Sequence, residues 1–265
     1  MPVLNEANAL FLGSTEVTAV YAGADQVYPA AGPTGPFTGY ILTATPGTPL
    51  THEVVIHDIL EGEGHTVGYH DITNGTAPGD AEFLIHVDNN TWISSSSWYL
   101  YNCTIPFMSM AKNNTYVQGL LPWSDSQSEG ARFDGTGHWG QTVRFTDDTI
   151  ISWPGQSSPS TVDILATGDA WSNGAVSKAC VDSQTANDAQ HFLSLGNDTD
   201  DSHSAGFYLP SGSTVTIPNA TEASEVTTTS TCDFIGLFWD NTFTNDLNAD
   251  GEALVVAAFD KLMGT

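Results

Sequence analysis

The densest group of ligand-type side chains is Asn197-Asp198-Thr199-Asp200-Asp201, where three carboxylates and an amide fall within five residues. Hard cations such as Ca²⁺ and Mg²⁺ gather several oxygens from turns of this kind, which makes Asp198, Asp200 and Asp201 the candidate metal ligands. A solvated acidic loop is the competing reading. Two further stretches imitate metal motifs. In His52-Glu53-Val54-Val55-Ile56-His57 the histidines stand five apart rather than four, which turns them about 140° from each other on a helix and prevents shared ligation. They read as helical surface histidines. Asp246-Leu247-Asn248-Ala249-Asp250-Gly251 matches the first half of a calcium-binding loop, yet the twelfth position, which must supply a bidentate Glu, is Ala257. A capped helix start with acids at its positive end uses the same letters without calcium. No cofactor is implied beyond such a divalent cation.

Cys103, Cys180 and Cys232 are widely spaced and form no C-x-x-C pair. One disulfide with one free thiol is open; three buried reduced thiols are favoured, because Cys103 and Cys232 adjoin apolar runs. Seven tryptophans are many for this length. Most should be core or interface, while Trp123, Trp139 or Trp153 in an exposed loop would offer a face for a sugar ring. Sequons such as Asn102-Cys103-Thr104 and Asn219-Ala220-Thr221 matter only in a secreted protein.

Charge narrows the partners. Asp and Glu number 31 against 5 Lys and Arg, a net −26, which repels nucleic-acid backbones and anionic membranes. Charged residues are nevertheless only 14% of the chain, a composition suited to a particle in saline water where a short Debye length hides self-repulsion. The opening MPVLNEANAL has no basic or long apolar run, and nothing approaches the roughly 20 apolar residues of a membrane span. The expectation is a soluble protein without a signal peptide, made in a host cytoplasm and assembled into a particle.

The elements that must position these groups begin with a repeat. Leu10-Phe11-Leu12-Gly13-Ser14-Thr15-Glu16-Val17-Thr18-Ala19 lies over Val20-Tyr21-Ala22-Gly23-Ala24-Asp25-Gln26-Val27-Tyr28-Pro29, apolar on apolar, aromatic on aromatic and Gly on Gly. Each copy reads as a small β-hairpin, so two copies make a short meander. Some 30 residues cannot bury a core of their own in water, since domains below about 40 residues need outside support. Residues 1–31 are therefore an attachment module, with Leu10, Phe11, Leu12, Val17, Val20, Tyr21, Val27 and Tyr28 as its contact residues. A β-rich arm folded back on its own domain is the alternative. Residues 32–36 are a Pro/Gly linker, and 37–265 the main domain.

In that domain Tyr40 to Thr45 reads as a strand, 50–63 as a helix carrying Leu50, Val54, Val55, Ile59 and Leu60, and His65 to His70 as a second strand. This βαβ unit predicts a parallel sheet with a right-handed crossover. Strands are expected at Phe83 to Val87, Ile105 to Met110, Val162 to Thr167 and Asp233 to Trp239, with a short helix at Ser94 to Tyr101. Loops and antiparallel additions, including Gln141 to Phe145, fill 112–160, and Ala205 to Leu209 with Ser213 to Ile217 reads as a hairpin. Asn248 caps a last helix whose Leu254, Val255, Ala258, Phe259 and Leu262 share one face before Gly264.

Two resemblances attach to these residues. LFLGSTEVTAVYAGADQVYP (10–29) is similar to the L-G-x-x-x-V-x-x-x-Y-x-G-x-x-x-V-[WY]-P segments that open or close many tailed-bacteriophage virion proteins, especially tail-fibre and tail-tip proteins. It implies a setting, a virion, rather than an activity. ILEGEGHTVGYHD (59–71), EFLIHVD (82–88), IPFMSMA (105–111) and the run from Cys232 to Gly264 resemble a divergent class I glutamine-amidotransferase-like, or trehalose-utilisation-like, domain. That likeness implies an α/β fold: a flavodoxin-like three-layer domain with a mostly parallel sheet, here preceded by the small all-β repeat module. Active members carry a nucleophilic Cys on a sharp turn after the fourth strand. Here that strand runs into Lys112-Asn113-Asn114, and Cys103 precedes the strand. The scaffold thus comes without its reaction.

The sequence reading is a non-enzymatic structural component of a tailed-phage virion, a tail-fibre or tail-tip protein that contacts other virion proteins, further copies of itself and a host surface glycan or protein. A head-decoration protein and a degenerate amidotransferase- or hydrolase-like enzyme are the alternatives.

Overall fold

A computed structural model describes residues 11–12, 15–16, 20–22, 25–28, 35–87, 103–111, 142–166, 190–195, 204–218, 225–239 and 246–265. Four short strands come first: β1 (Phe11–Leu12), β2 (Thr15–Glu16), β3 (Val20–Ala22) and β4 (Asp25–Tyr28). Then follow β5 (Thr38–Thr43), α1 (Thr51–Gly62), β6 (Thr66–Asp71), β7 (Phe83–His86), β8 (Phe107–Ala111), β9 (Thr142–Phe145) and β10 (Ser160–Asp163). The chain continues through β11 (Gln190–Leu195), β12 (Ser204–Leu209), β13 (Thr214–Pro218), β14 (Glu225–Thr229), β15 (Phe234–Trp239) and α2 (Ala249–Met263). The expected helix at Ser94 to Tyr101 lies outside the described residues.

The βαβ unit is present. β5 and β6 pair in parallel from Thr38↔Thr66 to Thr43↔Asp71, with α1 between them in the chain. β7 joins the other side of β5, then β8 and β15 follow, all parallel. Phe83, Leu84, Ile85 and His86 are all buried, as a central strand covered on both faces requires. Gly39 lets β5 approach this strand, because a Cβ there would enter the Phe83 ring.

The mostly parallel, flavodoxin-like sheet is not what forms. One nine-stranded mixed sheet runs β10-β9-β11-β12-β15-β8-β7-β5-β6, and four of its eight pairings, those from β15 outward to β10, are antiparallel. Only two helices occur among the described residues. The physical reason is that burial on both faces, not strand direction, produces a near-continuous apolar run. Ala205, Gly206 and Phe207, successive residues of antiparallel β12 and so on both of its faces, are buried like the residues of parallel β7.

The expected hairpin of 205–209 with 213–217 is also corrected. Both edges of β12 are occupied, by β11 and by β15, so β13 has no partner there and pairs instead with β14, from Thr214↔Thr229 to Pro218↔Glu225. Gly212, at φ 83°, makes the turn away from β12.

The sheet face carrying Ile41, Phe83, Ile85, Met108 and Ile235 forms one core with Ile56 and Leu60 of α1 and Leu254, Val255 and Phe259 of α2. Phe259 stands edge-on to Phe83 at 4.8 Å and lies 4.7 Å from the His65 ring. α2 begins as expected: Asn248 Oδ1 accepts the Gly251 N–H at 2.9 Å, and its amide donates to the carbonyls of Asp163 and Leu165. Gly264, at φ 72°, ends it.

α1 sits differently from its sequence pattern. Its buried residues are His52, Glu53, Ile56 and Leu60, whereas Leu50 is 40% exposed and Val54, Val55 and Ile59 are half-buried. His52 is thus not a surface histidine. The pull comes from the helix start, where the aliphatic Leu50 offers no capping oxygen. Glu53, wholly buried, accepts the Leu50 N–H at 2.8 Å and the Thr43 hydroxyl at 3.0 Å. Charge-assisted bonds of this kind offset the several kcal/mol, on the order of 5, that burial of a carboxylate otherwise costs.

Candidate functional site

Of the proposed attachment residues, Phe11 and Leu12 lie in β1, Val20 and Tyr21 in β3, and Val27 and Tyr28 in β4. Leu10 and Val17 fall outside the described residues. The pairings repeat with the sequence. Phe11↔Glu16 and Leu12↔Thr15 in the first hairpin become Tyr21↔Gln26 and Ala22↔Asp25 in the second, every residue displaced by ten. Two residues with Gly first, Gly13-Ser14 and Gly23-Ala24, separate the strands in each copy, a sequence favoured in two-residue hairpin loops. Instead of one meander, each copy is its own two-stranded sheet, and among the described residues neither pairs with the nine-stranded sheet.

The other natural place for chemistry is the carboxyl end of the parallel strands, where the chain leaves β5 toward one side of the sheet and β7 lies on the other. There Thr43 is tied to Glu53, and the helix start, which otherwise attracts anions, already holds that carboxylate. On the opposite face a row of register partners runs His70, Leu42, His86, Ser109 and Gly236. Ser109 beside His86 is the pair of residue types used in nucleophilic catalysis. His86 is wholly buried and Ser109 is 2% exposed, so no substrate carbonyl reaches the hydroxyl. His70 instead spends its Nε2 on the Thr76 carbonyl at 3.0 Å. Sequence reading missed this row because it depends on strand register.

The thiols sit at the other end of the sheet. Cys103 precedes β8 and its Sγ donates to the Ile105 carbonyl at 3.7 Å, while the Thr231 hydroxyl donates to the Cys103 carbonyl at 2.7 Å. Cys103 and Cys232 are both free and buried; Cys180 is outside the described residues. Burial pushes the Cys103 thiol up, and pushes Cys232 up further with help from Cys103 and Asp233. Reactive cysteines have their thiolates stabilised; these have them disfavoured.

The acidic loop, Asp198, Asp200 and Asp201, lies outside the described residues, as do Trp123 and Trp139. Trp153 is corrected: it is 2% exposed, donates its indole N–H to the Asp250 carbonyl at 3.1 Å and packs on Phe145, so no sugar can stack on it. His57 stays at the helix surface, half-buried, its ring flat on Tyr69 at 5.1 Å and its Nδ1 2.9 Å from Asp58 Oδ1. Among the described residues no three acidic, His or Cys side chains converge as metal ligands, and no helix is long and apolar enough to cross a membrane. The chain matches no protein-family model and no curated protein sequence.

Proposed function

We propose that the protein is a non-enzymatic structural component of a tailed-phage virion, of the tail-fibre or tail-tip kind, held to a neighbouring virion subunit through residues 1–31. The observation that carries this reading is the ten-residue repeat whose hairpin register repeats with it, built outside the nine-stranded sheet and too small to support itself. A module too small for a core of its own completes one against a neighbouring surface, in this reading that of another subunit. The repeat's aromatic and aliphatic positions are the surface it offers, and the acidic main domain is what it carries. The buried, thiolate-disfavouring surroundings of Cys103 and the closed Ser109–His86 pair favour a structural role over a hydrolytic one.

The test is particle assembly with two variants: removal of residues 1–36, and Tyr21→Ser with Tyr28→Ser in the full chain. Both proteins should be produced folded and be missing from purified particles, while the parent is labelled by immunogold at the tail. Normal incorporation of both variants would exclude the anchor, and label on the head alone would replace the tail assignment with head decoration.

A further inference from the structure

α1 and α2 do not close on each other along their whole length. Between them lies a groove of about 850 Å³. Its floor is apolar, formed by Val55 and Ile59 of α1 and Ala253 and Val256 of α2, with Pro154 at one side. These include the side chains that the helical pattern of α1 would send inward; the burial of His52 and Glu53 leaves Val55 and Ile59 facing the groove instead. Acidic residues line it from both sides: Asp58 of α1 and Glu63 just after its end, Glu252 and Asp260 of α2. Burial already pushes the Asp260 carboxyl up, and Glu63 adds to the effect, against the opposing Thr265 hydrogen bond and His65.

Among the described residues no Lys or Arg neutralises this rim; its nearest basic groups are two imidazoles, His57 with Nδ1 2.9 Å from Asp58 Oδ1, and His65, which acts on Asp260. The two described Lys and Arg residues lie elsewhere, Arg144 in β9 and Lys261 with its Nζ 4.6 Å over the Tyr208 ring. The carboxylates do not converge on a common point that would suit one metal ion. Spread along an apolar trough, they match a ligand that presents several separated cations beside an apolar stripe. This chain cannot supply such a ligand, because its five Lys and Arg are Lys112, Arg132, Arg144, Lys178 and Lys261, scattered singly through the sequence.

We propose that the groove between α1 and α2 is a docking surface for a cationic amphipathic segment of a different protein, its apolar side chains on Val55, Ile59 and Val256 and its Lys or Arg side chains against Asp58, Glu63, Glu252 and Asp260. The surface lies in the main domain, separate from the repeat, and stands whether or not the repeat anchors the chain. Long basic side chains suit it well, since their methylene stems cover apolar floor while their charged ends reach the rim.

The full chain is titrated with a fluorescent amphipathic Leu/Lys helical peptide, and with the same peptide carrying Glu or Gln in place of Lys. The Lys peptide should bind, and the Glu and Gln versions at least tenfold more weakly. Glu252→Lys should weaken the Lys peptide tenfold or more, whereas Asp163→Lys, an equal change of charge on exposed edge strand β10, should alter it less than twofold. Val256→Gln separates the apolar contribution and should weaken binding severalfold; circular dichroism of each variant should match the parent. Equal loss from Glu252→Lys and Asp163→Lys would reduce the effect to net charge and overturn the proposal. Equal binding of the Gln peptide would make the groove merely apolar, and a concentration-dependent dimer abolished by Glu252→Lys would make the occupant a second copy; either result overturns it too.

Discussion

Residue types that looked chemical in the sequence are mostly spent on structure. Glu53 stands in for the cap that Leu50 cannot provide, Asn248 ties α2 to the strand end at Asp163 and Leu165, and His57 supports Tyr69. Tyr69 gives a pH test of this arrangement. Burial, followed by the charges of Asp58, Glu53 and Glu61, pushes its phenol up from 10.0 to about 12. The folded state therefore holds this proton more tightly than the unfolded state. The stability it contributes is complete below pH 10 and is lost as pH rises from 10 to about 12. Denaturant titrations across that window should show the parent losing more stability than Tyr69→Phe. Parallel curves for the two proteins would show that Tyr69 ionises no differently when folded.

At the scale of elements, the start of α2 is the tightest junction in the described structure. Asn248 N–H donates to the Ile164 carbonyl, and a Cβ added at Gly251 would run into that same carbonyl oxygen. A backbone atom held by its own hydrogen bond has little room to yield. Helix propensity alone would favour Gly251→Ala by about 1 kcal/mol, whereas overpacking costs on the order of 1–3 kcal/mol and here acts on backbone. The clash should win, with Gly251→Ala less stable by about 2 kcal/mol in equilibrium unfolding. A stabilised Gly251→Ala protein would mean that α2 slides freely over β10. The caps of α2 were legible from its letters because capping is local. The rotation of α1 was not, because it follows from where Thr43 presents its hydroxyl to Glu53, ten residues further along the chain.

For the whole molecule, charge is the dominant variable. With 31 acidic residues against 5 Lys and Arg, most pairs of charges repel, and a like pair about 4 Å apart costs on the order of 4 kcal/mol at the effective dielectric of a protein surface before screening. Raising NaCl from about 10 mM to about 500 mM shortens the Debye length from about 30 Å to below 10 Å. The melting temperature of the full chain should therefore climb by several degrees over that range. A rise with millimolar Ca²⁺, too little for screening, that is lost when Asp198, Asp200 and Asp201 are changed together to Asn would assign a bound cation to those residues. A melting temperature indifferent to salt would show that apolar packing alone sets stability.

Local rules in the sequence determined the tandem hairpins, the β5-α1-β6 unit, the buried run of β7, and the capped helix from Asn248 to Gly264. Each depends on periodicity or on side chains within a few residues of the atoms they satisfy. Strand direction and partnership were decided only in three dimensions. The letters of β12 suit a parallel or an antiparallel strand equally, and only the occupation of both its edges by β11 and β15 sends β13 to β14. β11 itself, Gln190–Leu195, carries too short a pattern to stand out and is fixed by its pairing with β9 and β12. The groove between α1 and α2 has the same origin. Sequence periodicity can state that Val55 and Ile59 share a helix face, but which face the sheet covers depends on the buried contact between Glu53 and Thr43 of the neighbouring strand, a choice that the helix's own pattern does not encode.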